Sequence, residues 1–396
     1  MRTYQEFRHE IDAAIADQTA ALITLNDDLA DHPELSGQEY ESSRKIVSLL
    51  KDRGYQVEYP FAGMDTAFRG IFGSNNHKYK IAVLVEYDAL PQIGHACGHC
   101  LSGSVSLLAG FSVRQLQDEL NADVHLIGTP SEEGIGMKNV MVEQGIFDGY
   151  HMAMMVHMYD QNVLAPRLQA LNGYMYEFYG KAAHASSSPW DGANAFNAAQ
   201  LMFHAMDMLR QHVTPDVRMH GIIRNGGQAP NIVPEKVSAE VFVRAMDRDY
   251  LNDLIRKVDD CARGAAIATQ TSWDKYPTTQ PYHNLLSNPV GEAALREVFE
   301  ELGLPLNGDP EKIFGSSDAG NVSFVCPTFH PCLQVADKGV AIHTRAFAEN
   351  MKSDRAHQAL ADGAKLIAHQ IAKVFGDPDR AEAMLAAQRE ITPLQR

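Results

Sequence analysis

The sequence predicts an α/β fold in which one large α/β/α domain is interrupted by a smaller α+β domain. Three observations carry this prediction. Short apolar runs that end in turns alternate with helical spacing as far as residue 160. Strict period-two alternation replaces that texture near residue 172, and the first texture returns after residue 283. Alternating strands and helices of the first kind build a sheet with helices on both faces, whereas the second kind builds a half-covered antiparallel sheet. The order assigns residues 1–171 and 283–396 to the large domain and residues 172–282 to the small one.

Residues 37–53 (GQEYESSRKIVSLLKDR) space their apolar side chains as an amphipathic helix, which Gly54 stops. KIAVLVEYDALP (80–91) and ADVHLIGTPSEEG (122–134) are apolar runs closed by turns. Between them, Leu101, Val105, Leu108 and Phe111 mark a buried helix that opens just after GHACGHC (94–100). Strand, helix, strand predicts parallel pairing, and the loops after such strands are where ligands collect. MAMMVHMYD (152–160) adds one buried strand with His157 near its end.

In the small domain GYMYEFYGKA alternates as a strand, and Phe196, Ala199, Met202, Met206, Leu209 and Val213 keep helical spacing. RMHGIIRN is a second strand. KVSAEVFVRAM sets Val237, Ala239, Val241 and Val243 on one face, with Ser238, Glu240, Phe242 and Arg244 on the other. Leu251, Leu254, Ile255 and Val258 mark a second helix, and ATQTSWDKY a last strand. The order is β-α-β-β-α-β. A long helix with Ala356, Leu360, Ala364, Ile367, Ile371 and Val374 on one face closes the chain.

Composition narrows the function classes. Of 396 residues, 45% are hydrophobic and 21% charged, as in ordinary globular proteins. No apolar run has membrane length, and the first residues lack the apolar core of a secretion signal, so a cytoplasmic protein is expected. A net charge of −16 argues against nucleic acid and anionic membrane as partners. It leaves a small anionic substrate open, because a local arginine or metal outweighs a diffuse field. Five cysteines are an odd number and too few for a disulfide framework, which fits a reducing compartment.

GHACGHC packs two cysteines and two histidines into seven residues, and three chemistries compete for it. A thiol–disulfide oxidoreductase would use Cys97 and Cys100, but Ala96 stands where such motifs carry an aromatic residue, and no thioredoxin texture surrounds it. A structural zinc site needs a second ligand pair, and Cys326 and Cys332 are poorly spaced for one. A catalytic centre needs mixed ligands, an open position and a nearby base. Cys97, His99, Glu132, Glu133, His157 and His343 are the candidates, in that order along the chain. Singly, each has an ordinary explanation as a solvated carboxylate or a packed histidine. Together, on loops after strands, they favour the catalytic reading.

The chain resembles the aminoacylase and carboxypeptidase family of two-metal amidohydrolases, in the branch of p-aminobenzoyl-glutamate hydrolase and the auxin-conjugate hydrolases. The matching motifs span nearly the whole sequence: HPELSGQE (32–39), EYDALP (86–91), GHACGHC, GTPSEEG (128–134), GKAAHASSSPWDGANA (180–195), GGQAPNIVPEKVSAEVFVR (226–244), SSDAGNVSFVCP (316–327) and IHT (342–344). The resemblance implies a metal-binding catalytic domain with an inserted ferredoxin-like domain for dimerisation. It implies two divalent ions per subunit, Zn²⁺ or Mn²⁺, with Cys97 between them and His99, Glu133, His157 and His343 as the other ligands. Glu132 becomes the general base, and His184 reaches the site of the partner subunit. Asn231 and Arg244 bind the substrate, with Arg244 on a free carboxylate. His95 and Cys100 are not ligands in this scheme, Asp88 has no assigned role, and many relatives carry Asp or Asn in place of Cys100. The activity implied is hydrolysis of an N-acyl or N-aroyl amino acid or a dipeptide. Hydrolytic deamination of an aromatic amine is the alternative that keeps the metals, and a non-catalytic metal-bound binding protein is disfavoured by Glu132.

Overall fold

The computed structural model describes residues 4–309 and 312–392. Its strands in chain order are β1 (Gln56–Glu58), β2 (Phe68–Ile71), β3 (Tyr79–Val85), β4 (Ala122–Gly128), β5 (Met152–Met154) and β6 (His157–Tyr159). β7 (Ala170–Tyr179), β8 (Arg218–Asn225), β9 (Lys236–Ala245) and β10 (Ser272–Pro277) follow, then β11 (Thr328–Phe329) and β12 (Cys332–Gln334). The fold is mixed α/β. The chain divides into two compact units: residues 1–167, 285–314 and 318–396 form one, and residues 168–284 with 315–317 form the other. Among the described residues no helix is long and apolar enough to cross a membrane.

In the first unit six strands run in the order β1-β2-β4-β3-β5-β11. β3, β4, β5 and β11 are parallel, while β1 and β2 join antiparallel at one edge. The helix after GHACGHC, α3 (His99–Val113), starts inside the motif rather than after it. Gly98 caps it in the left-handed region (φ +85°), and a β-carbon there would stand 2.7 Å from Met158 Cβ. All fifteen α3 residues are buried, so no polar stripe marks its start. The helices Tyr4–Asp31 (α1) and Asp354–Phe375 pack on α3, completing the core around Leu101, Val105, Phe111, Leu360 and Ile367.

MAMMVHMYD is not one strand. β5 belongs to the six-stranded sheet and β6 pairs with β12 in a separate two-stranded sheet, with the step at Met155 and Val156. The neighbouring chain steps in the same way between β11 and β12, at His330 and Pro331. A uniformly apolar run carries no sign of such a change of sheet.

The second unit reads β7, helix Ala195–Leu209, β8, β9, helix Arg248–Thr269, β10, with sheet order β10-β7-β9-β8 and antiparallel pairing throughout. Val237, Val241 and Val243 are fully buried beneath both helices, while Ser238, Glu240, Phe242 and Arg244 stay partly open on the other face. β8 is an edge strand, and Ile222 on it is exposed, as are Leu201 and Met208 on the first helix.

Candidate metal centre

The site is built at the carboxyl ends of the parallel strands. β3 runs into Glu86 and Asp88, β4 into Glu132 and Glu133, and the step after β5 presents His157. Cys97 and His99 flank Gly98 on the turn into α3, and His343 sits on a loop in the left-handed region (φ +62°), its N–H donating to the Ala96 carbonyl at 2.8 Å. Six side chains form three overlapping donor groups: Cys97, His99 and His157; Cys97, Glu133 and His343; and His99, Glu132 and Glu133. Cys97 Sγ lies 3.3 Å from His157 Nε2, and His343 Nε2 lies 2.9 Å from Glu133 Oε1.

Hydrogen bonds aim these groups. His157 Nδ1 donates to the Met158 carbonyl at 2.8 Å, so the neutral ring turns its bare Nε2 toward Cys97. His99 Nδ1 donates to Asp88 Oδ1 at 2.8 Å, which points Nε2 into the site. Asp88 Oδ2 accepts from Ser36 Oγ at 2.6 Å and from the Glu133 N–H at 3.0 Å. Asp88 thus orients the His99 imidazole and holds the backbone of Glu133, a role that its motif left open. Burial alone would raise its pKa, but His99 and these donors hold it well below the usual carboxylate range.

The donor set fits divalent metal. One thiol, three imidazoles and two carboxylates are donors for zinc, with the imidazoles and carboxylates equally suited to manganese. His99 Nε2 is buried without a hydrogen-bond partner. Burial, and then Glu133, push the Cys97 thiol well above its ordinary range; burial and Glu133 do the same to Glu132. Burial disfavours charge on His99, yet Cys97, Glu86 and Asp88 together drive its pKa well up. Burial and crowding thus penalise the charged forms of Cys97 and Glu132, a penalty that a bound cation would relieve.

A model of the peptidase family M20/M25/M40 matches residues 82–373. The chain belongs to this family. The Xaa-Arg dipeptidase of Mus musculus is 32% identical to this M20 chain over 371 residues, 89% of this chain and 85% of that protein. A p-aminobenzoyl-glutamate hydrolase polypeptide of Escherichia coli (strain K12) is 26% identical, over 99% of this chain and 96% of that one. In fold, the chain is similar to the YXEP protein of Bacillus subtilis, described as a dinuclear metal binding peptidase of the M20 family. The TM-score is 0.68 at 19% identity, over 89% of this chain and 98% of that one. The M20 chain is a metal-dependent hydrolase of amide and peptide bonds.

Several residues that position the M20 site went unnamed in the sequence. Lys138, fully buried, donates to Glu86 Oε1 and Asp318 Oδ1 at 2.6 Å each, and Glu86 Oε2 lies 3.3 Å from His99 Nε2. Glu86 and Asp318 stand inside EYDALP and SSDAGN, which was the available signal; Lys138 had none. His330, buried at the step between β11 and β12, stacks on His157 with centroids 5.3 Å apart. Cys100 is fully buried among the core side chains, and its N–H donates to His95 Nδ1 at 3.3 Å. Both residues support the turn from behind.

His184, Asn231 and Arg244 all lie in the second unit. His184 and Asn231 are neighbours: the Ala185 N–H donates to the Asn231 carbonyl at 3.0 Å, and His184 bridges to Ile232. His184 Nδ1 accepts from the N–H groups of Ser186 and Ser187 at 3.3 Å, so the neutral ring carries its proton on exposed Nε2. Arg244 sits at the opposite end of the β7–β9 ladder, across from Leu171, with Nη1 donating to Ser316 Oγ at 3.2 Å. Its Nε is buried without a hydrogen-bond partner.

Proposed function

We propose that the enzyme releases an amino acid from its amide, cleaving N-acyl or N-aroyl amino acids or small dipeptides that carry a free carboxylate on the amine side. The observation that carries this reading is the membership of Cys97 in two donor groups, one with His99 and His157 and one with Glu133 and His343. That arrangement suits two divalent ions, Zn²⁺ or Mn²⁺, with Cys97 as the donor common to both. When bound, such ions polarise a carbonyl and acidify water. Glu132 takes the proton of the attacking water and delivers it to the leaving nitrogen. Arg244 holds the carboxylate by two parallel hydrogen bonds, which fixes the amide in register. His184, with Asn231 beside it, donates from Nε2 to the oxygen on which charge develops. The names of the two relatives point to the same bond, one a dipeptidase and one an aroyl-glutamate hydrolase.

His184 and Arg244 stand at opposite ends of β9. Lys236, at the His184 end of the ladder, is eight residues from Arg244, or about 26 Å at the usual strand rise. One unit cannot place both on one small molecule. Two copies can, and residues 172–282 are the domain through which we infer that they pair. The unpaired edge of β8 and exposed Ile222, Leu201 and Met208 supply an apolar surface for that pairing. A cytoplasmic homodimer is the form proposed.

The test is a hydrolysis screen with zinc- or manganese-loaded enzyme against N-acyl amino acids and dipeptides, each with a free or amidated carboxylate. Free-carboxylate substrates should be cleaved, exhaustive chelation should abolish the activity, and either metal should restore it. Equal cleavage of free and amidated substrates would remove the role given to Arg244. Full activity in protein shown to be metal-free would remove the mechanism.

A further inference from the structure

The segment HPELSGQE packs against the loop that carries Glu132 and Glu133, and its last residue is unexplained by the site so far. Glu39 is fully buried, 93 positions before Glu132 in sequence, at the start of the helix Tyr40–Asp52 (α2). A buried carboxylate is costly unless its oxygens are occupied. Those of Glu39 are occupied in a specific way. Oε1 accepts from the Gly37 N–H at 2.7 Å and from the Ser131 N–H at 2.9 Å, while Oε2 accepts from Thr66 Oγ at 3.0 Å. The first bond sets the carboxylate within its own turn, the third fixes its plane, and the second reaches across to the residue before Glu132.

Ser131 needs such a hold. It adopts φ +59°, a left-handed conformation that a non-glycine residue keeps only where its surroundings impose it. The two loops also touch closely. A β-carbon on Gly134 would stand 2.7 Å from Ser131 Oγ and 2.9 Å from Ser36 Cβ. On the far side of Glu132, the Glu133 N–H is held by Asp88. Glu132 therefore lies between two backbone N–H groups, each pinned by a buried carboxylate from a different part of the chain.

We propose that Glu39 is a positioning residue for the reaction: through the Ser131 N–H it sets the backbone from which Glu132 moves protons. The inference rests on Glu132 as the proton carrier. The effect should fall on kcat rather than KM, because the pinned group handles protons and does not bind the substrate. Length should matter more than charge. Glutamine keeps the acceptor oxygen at the same reach, whereas aspartate keeps the charge but withdraws the oxygen by a methylene.

The test compares Glu39→Gln, Glu39→Asp and Glu39→Ala in full-length, metal-loaded enzyme, with an N-acyl amino acid from the screen as substrate. Glu39→Asp and Glu39→Ala should lower kcat about 10- to 100-fold, as a displaced catalytic group does, with KM within about twofold and metal content unchanged. Glu39→Gln should stay within about threefold of the normal kcat. Amide hydrogen exchange across residues 129–136 should quicken in the Asp and Ala variants and not in Gln. Should the Ala variant fail to fold, the Asp and Gln pair decides alone. Normal kcat in Glu39→Asp, or equal loss in Asp and Gln, overturns the inference. Glu132→Gln is the control for the underlying reading: activity that survives in it defeats the proton-carrier role itself, whatever the Glu39 variants do.

Discussion

His125 shows what a buried histidine does to this protein outside the donor cluster. It lies in β4, where Tyr150 Oη donates to Nδ1 at 2.6 Å and Nε2 donates to Asn75 Oδ1 at 2.9 Å. That pattern suits only the neutral ring. Burial, and then the charge of Arg69, lower its pKa to about 4. In the unfolded chain the ring takes up its proton near 6.5, so between pH 6.5 and 4 the unfolded state binds more protons than the folded one. Stability must therefore fall as the pH drops through that window. His125→Gln, which retains a donor and an acceptor, should lose about 2 kcal/mol less stability than the normal chain between pH 7 and pH 5. Chemical denaturation at the two pH values measures the difference. The partners that create such shifts were invisible in the sequence. The same holds at the site: the donor residue types of the cluster could be read off motifs, but Lys138 and His330 act through burial and contacts that no spacing reports.

At the scale of elements, the periodic segments were legible and the irregular ones were not. The alternation of β9 and the apolar stripe of Asp354–Phe375 are read correctly because one face of each meets solvent or a second layer. α3 is buried on every side, so its start inside GHACGHC left no polar mark. α1 buries Phe7, Ile11, Ile15, Leu22 and Leu29, a helical stripe that the sequence contains and that is missing from the elements expected above. The step between β5 and β6 follows from the pairing of β11 and β12, which is set by residues remote in sequence. The turn at Gly98 is where an element boundary becomes chemistry, since Cys97 and His99 on either side of it bring their donor atoms into one group. Gly98→Ala would strain the left-handed backbone and press on Met158 Cβ and Met351 Sδ. Metal affinity should weaken about 10- to 100-fold, the usual scale for disturbing what orients a ligand. Competition with a chromophoric chelator reads this directly, and unchanged affinity would show that the turn has slack.

For the whole molecule, the decisive question is whether two chains share a site. His184→Ala and Glu132→Gln should each be inactive alone. If His184 serves its partner, mixing the two creates hybrids with one site that is intact and one that lacks both groups. Random exchange of equal amounts should then recover about a quarter of normal activity, because half the dimers are hybrids and half their sites are complete. Recovery should grow with the rate of subunit exchange, followed by mass spectrometry of isotope-labelled chains. No recovery despite complete exchange would place His184 in its own chain's reaction or outside it. The sequence held the motif around His184 but could not show the length of the β7–β9 ladder, which separates it from Arg244.

The first unit is assembled from chain on both sides of the second, and this orders events on the ribosome. β6, which carries His157, pairs with β12 alone, and β5 waits for β11 on its outer side. His157 therefore leaves the exit tunnel long before its sheet neighbour, and Cys97, His99 and Glu133 leave it long before His343. The second unit has its own core and holds all its strands by residue 277, so it can fold during translation while the proposed metal ligands still lack His343 and β12. A nascent chain that has emerged as far as residue 317 should contain one finished unit and four unshielded donors, with His343 still to come. With the proposed ligand set, metal loading is expected to be a late event in the life of each chain, set by when its carboxyl-terminal segment arrives.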